Sequence, residues 1–402
     1  MILKSARLRL AGTVILLLMS FGFTSGLHAQ SAFCTDAGCT REKAELKRIC
    51  DFIVTNRASY PTIYIGGYYM RTLVAGSQIF GDKKYLDTAV AYGDYLLAHQ
   101  MENGFWQTGY GPVYMADTGS AITLFIVLYN HVDHDRQQKY FDATQKYINS
   151  IQREHMINPD GSFGTGWRKV VDGKLDTPLF DEYTLSSALT GAQIFTWMYD
   201  RTHKDEYREI SYHALKWVFS TMNSEGRIPH ILAEEGFVWE KRDDPAMQKK
   251  LFESQVYGTS GYVGEGVIAF DLHCQKKSWQ KWIEGAVKPN IEFLLRTQLA
   301  NGTWSEMPQT SWDRTRSIGI IDYMIWYYDH VKKDQRILDA VHKWDNYVLS
   351  DKNDHENGKA YGLVYDGNEG TGRGQVSAFN TASSLTGRAL ADMITPGIDA
   401  EW

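Results

Sequence analysis

The sequence Asn-Gly-Thr-Trp at residues 301–304 begins the stretch that decides the predicted fold, because a polar loop and an apolar run over residues 317–328 follow it. The same plan recurs from residues 103–106 (Asn-Gly-Phe-Trp) and from residues 160–163 (Asp-Gly-Ser-Phe). Looser copies start at Glu225 and Tyr361. Self-similarity at a period of tens of residues is typical of repeat architectures. The sequence therefore predicts one supersecondary unit used several times.

Two kinds of helix are predicted around these stretches. Amphipathic helices, each with one polar face, cover residues 42–56, 84–101, 137–153, 204–222, 277–298 and 336–349. More uniformly apolar helices, rich in Gly, Ser and Ala, cover about residues 64–79, 118–131, 182–199, 259–273, 317–329 and 381–394. Because a helix that is apolar on all sides is buried, the first set predicts an outer layer and the second an inner layer.

Alternation of outer and inner helices predicts an all-α toroid, which is an incomplete or closed barrel of helical hairpins. Six pairs, (α/α)6, account for the periodic segments. A seventh pair using residues 245–257 would give (α/α)7, and the sequence leaves both counts open. We expect residues 30–402 to form a single catalytic domain, with no linker dividing it.

Residues 1–29 have the pattern of an export signal. Lys4, Arg7 and Arg9 precede an apolar stretch over residues 10–23, and small residues lead to Ala29. The apolar stretch is short for a membrane span. We therefore predict cleavage near Ala29, no membrane span in the mature protein, and a periplasmic or secreted monomer.

Charge and motifs exclude several classes of function. The chain carries 42 Lys and Arg against 48 Asp and Glu, a formal net charge of −6, which argues against a nucleic-acid partner. The sequence contains no Walker loop, no dinucleotide fingerprint and no HExxH motif, so we predict no cofactor and no metal.

The four cysteines lack the paired spacing of a zinc site. In an exported protein, a disulfide among Cys34, Cys39 and Cys50 is expected, with Cys274 free. Unpaired thiols are the alternative.

Loop lengths predict where the working end of the toroid lies. Connections from inner to outer helices are short, whereas most of those that enter inner helices are long. Long loops in compact domains usually carry function. The amino ends of several inner helices would meet there, and their dipoles favour an anionic ligand. Asp117, Asp181 and Asn380 stand at such helix starts, where an N-cap role is the simpler interpretation.

Four residues of these loops are the predicted catalytic set: Tyr257, His230, Arg316 and Asn380. Tyr257 precedes a glycine-rich helix start that would lower its pKa, so it is the preferred proton-transfer residue. His230 is a candidate base or carboxylate partner. Arg316 occupies a helix start and can clamp a carboxylate with two hydrogen bonds. Packing or surface ion pairs are the alternative role for each of them.

The predicted substrate-binding residues are aromatic platforms and polar groups of the same loops. Aromatic rings among Gly, Thr and Asn fit stacking on sugars as well as they fit a core. The set consists of Trp106, Tyr110, Tyr114, Trp167, Tyr262, Glu265, Trp304, Arg314 and Arg373.

With its export signal and helix pairs, the mature chain resembles carbohydrate-active α/α toroids, above all the small uronan lyases that act on β-1,4-linked glucuronan or alginate. The loops that carry this resemblance hold Trp106, His230, Tyr257, Trp304, Arg316 and Asn380. It implies a Tyr, often with a His, for proton transfer, and an Arg, Asn, His or Glu that neutralises the substrate carboxylate. The predicted function is therefore a polysaccharide lyase (carbon–oxygen lyase, EC 4.2.2.-) that cleaves an acidic polysaccharide by β-elimination.

Two alternatives stay open. Unsaturated uronyl hydrolases are also α/α toroids and use two aspartates, for which Asp117 and Asp181 are the candidates. Hydrolysis by two carboxyl groups requires them to face each other about 5 to 10 Å apart. The other alternative is a non-catalytic protein that binds acidic glycans, or a uronyl epimerase.

Overall fold

Among the residues that the computed structural model describes, six amphipathic helices form the outer layer. Their apolar faces are buried and their polar faces are exposed, as the periodicity predicts. They are α1 (Thr40–Asn56), α3 (Lys83–His99), α5 (His134–Arg153), α7 (Asp205–Ser220), α9 (Lys277–Thr297) and α11 (Gln335–Val348). The structure describes residues 31–56, 63–107, 113–167, 170–171, 174–230, 244–246, 256–304, 319–349 and 381–398.

Six further helices of the described residues form the inner layer. Helix α4 shows why they are inside, since every residue from Thr118 to Leu128 is buried. They are α2 (Ile63–Phe80), α4 (Met115–Leu128), α6 (Phe195–Thr202), α8 (Val256–His273), α10 (Gly319–Trp326) and α12 (Thr381–Ile394). A π-helical segment, Ser186–Ile194, leads into α6, and a second one, Tyr327–Val331, continues α10.

The inner helices pack in chain order and close a ring. Helix α2 contacts α4, which contacts the π-helical segment before α6, and this segment contacts α8. Helix α8 contacts α10, α10 contacts α12, and α12 returns to α2. Among the described residues, this ring of six inner helices confirms the predicted toroid, whereas residues 247–255 of the possible seventh pair lie outside the described residues.

Short polar caps start several outer helices. The carboxylates of Asp82, Asp133 and Asp334 accept hydrogen bonds from main-chain N–H groups in the first turns of α3, α5 and α11. Such caps stabilise a helix start by satisfying an otherwise unpaired donor. The connections from the described inner helices to the outer helices that follow them are also short, as predicted.

A turn over residues 299–303 follows the outer helix α9, and the same kind of turn follows other outer helices. Gly302 N donates to Leu299 O at 2.9 Å, and Thr303 N donates to Asn301 Oδ1 at 3.1 Å. Residues 101–105 form the same turn, with Gly104 N donating to Met101 O at 2.9 Å. Residues 158–162 and 223–227 repeat the pattern. The predicted repeat therefore corresponds to a structural turn between consecutive helix pairs.

Two small sheets, which the sequence analysis did not predict, lie in the loops that lead to the second and third inner helices. Strands β1 (Val113–Tyr114), β2 (Gly164–Trp167) and β5 (Pro178–Glu182) form an antiparallel sheet in the order β1-β2-β5. Strands β3 (Val170–Val171) and β4 (Lys174–Leu175) pair as a hairpin. In the first sheet, β2 pairs with both β1, which lies immediately before α4, and β5, which precedes the next inner helix.

Cys34 and Cys39 form a disulfide, whereas Cys50 and Cys274 are free and buried. This pairing confirms the predicted bridge among the first three cysteines. Among the described residues, no helix is long and apolar enough to cross a membrane. The predicted signal, residues 1–29, lies outside the described residues.

Candidate functional site

One cluster of polar and aromatic side chains gathers at the amino ends of the inner helices. We call it the mouth and define it by six residues, Tyr68, Tyr114, Tyr183, His230, Thr259 and Tyr262, and by Asp117, which is placed here by its position in the first turn of α4, three residues after Tyr114. Its aromatic contacts run from Tyr114 to Tyr183, with ring centroids 6.5 Å apart, and from Tyr183 to the His230 ring at 5.6 Å. On the other side, the rings of Tyr68 and Tyr262 lie 6.1 Å apart. The mouth therefore lies at the amino ends of the inner helices, which is the end that the long loops enter.

Asp117 stands in the first turn of α4 and is half-buried. Loss of hydration raises the pKa of its carboxyl to about 7. At this pKa, about half of the molecules carry a protonated Asp117 at neutral pH. A carboxyl group in that range can both donate and accept a proton, as general acid–base catalysis requires.

His230 lies in the loop before α8, and its side chain contacts the first turn of that helix. Its Nδ1 lies 3.0 Å from Thr259 Oγ1, and its ring meets the Tyr183 ring edge-on at 89°. Burial lowers the pKa of the imidazole to about 4, so the ring is neutral at physiological pH. A neutral imidazole fits the predicted role of base better than that of a cationic carboxylate partner.

The Tyr257 ring packs against the outer layer of the toroid. It lies flat on that of Phe293 in the outer helix α9, with centroids 5.4 Å apart and planes 7° apart. Residues at positions 257 and 259 of one helix point to nearly opposite sides, and Thr259 faces His230. This position does not favour the predicted proton-transfer role, and Tyr262 is the tyrosine of α8 that reaches the mouth.

Three predicted sugar platforms are packed inside the protein instead. Trp106 and Trp304 are fully buried, and their Nε1 atoms donate to Leu96 O and Leu294 O, each at 2.8 Å. Trp167 is 1% exposed and packs edge-on against Phe105. A ring without an exposed face cannot stack on a sugar, so the predicted stacking role of these three residues is wrong. Tyr114 and Tyr262 remain half-buried at the mouth.

Glu265 is held in an ion network on the axis of the ring. Its Oε2 accepts from Arg71 Nη1 at 2.9 Å and its Oε1 from Arg388 Nη1 at 2.9 Å. Arg388 Nη2 also lies 3.4 Å from Asp322 Oδ2. All four side chains are at most 7% exposed, so Glu265 serves here as an internal counter-ion. Its predicted contact with substrate is not supported by this position.

Sequence reasoning missed Arg71, Asp322 and Arg388. They lie in apolar inner helices, and a charged residue inside such a helix is the one signal that was available. The remaining predicted residues, Tyr110, Arg314, Arg316, Arg373 and Asn380, lie outside the described residues. Asp181 belongs to strand β5.

No family model matches the chain, and no curated protein matches it. Solved structures do match over most of its length. One is a polysaccharide lyase, with a TM-score of 0.60 and 14% identity over 88% of this chain and 96% of that one.

Two further matches are hydrolases or possible hydrolases. An unsaturated glucuronyl hydrolase from Bacillus sp. GL1, described as responsible for the degradation of glycosaminoglycan, has a TM-score of 0.61 and 12% identity over 90% of this chain and 97% of that one. A possible member of the GH105 family from Klebsiella pneumoniae has a TM-score of 0.63 and 11% identity over 88% and 92%. At these identities, the likeness shows the fold, and one fold can serve more than one chemistry. The chain thus has the α/α-toroid architecture that is also found in a polysaccharide lyase and in an unsaturated glucuronyl hydrolase.

Proposed function

We propose that the protein is a carbohydrate-active enzyme that hydrolyses saccharides ending in a uronic acid, with Asp117 as the general acid. The observation that carries this proposal is the Asp117 carboxyl at the mouth, with its pKa raised to about 7. Ordinary aspartates have a pKa near 3.9 and hold no proton at neutral pH. A surface carboxylate therefore cannot deliver a proton under these conditions, whereas Asp117 can.

The acidic nature of the substrate follows from the helix ends around the mouth. Helices α4 and α8 begin there, and their first main-chain N–H groups and dipoles attract negative charge. The half-buried aromatic side chains Tyr114 and Tyr262 offer apolar surface for a sugar ring. The unsaturated glucuronyl hydrolase that shares the fold is described as responsible for the degradation of glycosaminoglycan, which is an acidic saccharide.

Hydrolysis needs a proton donor and one water molecule. Asp117 would donate its proton to the glycosidic oxygen, or to the enol-ether carbon of an unsaturated uronyl ring, and the positive charge that develops would be shared with the ring oxygen. Water then adds, and one of its protons restores the acid. Asp181, at the end of the sheet that leads toward the mouth, is the proposed partner that directs this water.

A second candidate is the predicted lyase, which cleaves a β-1,4-linked glucuronan or alginate. The observation in its favour is the neutral imidazole of His230 in the same mouth. In β-elimination, a base removes the proton from C5, the C4–O bond breaks with its electrons leaving on oxygen, and a C4–C5 double bond forms. His230 would take the proton, and Tyr262 is the hydroxyl group of the mouth that can protonate the leaving oxygen.

Ultraviolet absorbance separates the two reactions. With unsaturated uronyl oligosaccharides as substrate, the hydrolase reading expects a loss of absorbance, because the conjugated double bond disappears. With intact glucuronan, alginate, pectate or hyaluronan, the lyase reading expects a gain of absorbance. No change in either assay and no release of uronic acid from saturated uronyl oligosaccharides, together with binding to the same saccharides, would indicate a non-catalytic glycan-binding protein.

Three variants test whether Asp117 is the general acid. Asp117→Asn should lower the hydrolytic rate by about 10²- to 10⁴-fold, the usual contribution of a proton donor. Asp82→Asn is the matched control, since Asp82 caps the outer helix α3 and asparagine caps helices equally well. Tyr257→Phe should keep its activity, because the ring packs on Phe293. Full activity of Asp117→Asn would contradict the proposed role.

The proposal also includes the location of the protein in the cell. We propose a periplasmic or secreted monomer, because residues 1–29 have the pattern of a signal peptide and acidic polysaccharides lie outside the cytoplasm.

A further inference from the structure

A second cavity lies at the other end of the toroid. It measures about 70 Å³ and is bounded by the carboxyl-terminal halves of α8, α10 and α12 and by both π-helical segments. Arg71, Glu265 and Arg388 line its inner side. The mouth, in contrast, is built from the amino ends of the inner helices. Tyr68 of the mouth stands between the two sites, since its ring centroid lies 5.5 Å from the Arg71 guanidinium carbon and 5.7 Å from that of Arg388. The cavity itself extends from these arginines toward the carboxyl ends of the inner helices.

Acceptor groups dominate this cavity. Its charged lining consists of Arg71 and Arg388 against Glu265, Asp322, Asp329 and Asp392. Glu265 is shared by the two arginines, and Asp322 also pairs with Arg388. Asp329 pairs with Lys333, which lies outside the lining, so the charged groups named here sum to one negative charge. The carboxyl ends of the surrounding helices add to it, because their main-chain carbonyl dipoles point toward this end.

Gln193 provides an acceptor that the fold itself does not use. It lines the cavity from the first π-helical segment and is 3% exposed. Among the described residues, its Oε1 has no hydrogen-bond partner. A buried polar atom without a partner destabilises the fold, so such atoms usually face a ligand or water.

The opposite wall of the cavity is aromatic and apolar. The Trp326 ring stacks near His330 at a plane angle of 17°, and Ile268 and Leu272 lie beside it. Aromatic faces attract cations, and apolar neighbours accept an alkyl chain. π-Helical segments are rare and often occur at functional sites, and two of them meet here.

We propose that this cavity is a binding site for a small alkylammonium cation. Its ammonium group would donate hydrogen bonds to Gln193 Oε1 and to the carboxylates at the rim, while its alkyl part lies against Trp326. The volume accommodates a ligand of a few heavy atoms. A metal ion is a poorer match, because no group of three or more His, Cys, Asp or Glu side chains among the described residues can hold one.

Ethylammonium chloride is the probe, and thermal unfolding and calorimetric titration of the full mature chain are the measurements. We expect saturable binding and a Tm that rises with the logarithm of the ligand concentration. Ethanol and sodium acetate, which match the probe in size but are neutral and anionic, should leave Tm unchanged, as should sodium chloride. Equal effects of ethanol and ethylammonium, or no saturable binding, would overturn the proposal.

Variants locate the site. Gln193→Leu keeps the size of the side chain and removes the acceptor, so it should weaken ethylammonium binding about ten-fold or more. Asp329→Asn tests the rim without disturbing the interior, since Asp329 is partly exposed, and should weaken binding as well. Asp339→Asn, on the exposed face of α11, is the matched control and should bind like the parent chain. Unchanged binding in Gln193→Leu, or in Asp329→Asn if the former does not fold, refutes the assignment.

Discussion

At the scale of single residues, burial sets the ionisation of carboxyl groups far from the mouth as well as in it. Asp345 of α11 and Glu42 of α1 are both 0% exposed and face each other between the last and the first outer helix. Loss of hydration and the nearby Glu42 carboxylate raise the pKa of Asp345 to about 8. Two buried like charges repel, so the pair is stable when one proton is shared between them.

This pair predicts a loss of stability with rising pH. The pKa of Asp345 is higher in the folded than in the unfolded chain, where it is about 3.9, so the folded state binds the proton more tightly. The stabilisation is complete below about pH 4 and disappears as the pH rises to about 8. Asp345→Asn cannot ionise, so its free energy of unfolding should fall less between pH 5 and pH 9 than that of the parent chain.

Urea unfolding at the two pH values measures this difference. Asp339→Asn on the exposed face of the same helix should follow the parent chain. An equal loss of stability in the parent and in Asp345→Asn would show that the pair holds no shared proton.

At the scale of elements, the repeated turn that follows four described outer helices, α3, α5, α7 and α9, fixes the spacing of neighbouring pairs. Its glycine has φ of +94° at Gly302, and Gly104, Gly161 and Gly226 have φ between +87° and +93°. A Cβ on Gly302 would lie 2.2 Å from Lys343 O in the next outer helix. The turn thus touches the main chain of the following pair, which a larger residue would prevent.

Gly302→Ala should therefore destabilise the fold by about 2 kcal/mol or more, through both the positive φ and the clash with Lys343. Gly285→Ala is the matched control, because Gly285 lies in the interior of helix α9 and a Cβ there meets nothing within 4 Å. Alanine in a helix is favoured by up to about 1 kcal/mol over glycine, so this variant should be as stable as the parent or more stable. Denaturant unfolding compares the two, and equal effects would contradict the role of the turn.

At the scale of the whole molecule, the segment before α1 joins the two ends of the ring. Ser31 Oγ donates to Met393 O of α12, and the main-chain O of Ala32 lies 3.0 Å from His342 Nε2 of α11. Phe33 is 2% exposed and packs edge-on against Tyr328, with ring centroids 5.4 Å apart. The Cys34–Cys39 disulfide follows at once and restricts this segment. The ring therefore closes through side chains from both ends of the chain.

Phe33→Ala should weaken this closure and lower the free energy of unfolding by about 3 kcal/mol or more, the usual cost of removing a buried phenylalanine ring. Phe180→Ala serves as the control, because Phe180 is 47% exposed and its removal leaves no cavity. Thermal or urea unfolding measures both. If the two variants lose the same stability, Phe33 does not hold the ends together.

The sequence by itself determined the layers of this protein. Helical periodicity, all-apolar helices and capping aspartates depend on neighbours within a few residues, so the six outer and six inner helices follow from local patterns. The long-loop end followed as well, since loop lengths are read directly from the chain. The two small sheets did not, because strands of two to five residues carry little periodic signal.

Only the tertiary structure decided which side chains meet. Trp106 and Trp304 stand in loops rich in polar residues, yet the next helix pair covers them. Glu265 meets Arg71 and Arg388 across 194 and 123 residues of chain, a separation that no local pattern reports. The sequence favoured a helix-cap role for Asp117, and only the structure shows the burial that raises the pKa of its carboxyl. The identity of a helix is thus a local property, whereas hydration, pairing and the direction of a side chain depend on the residues that the closed ring places around it.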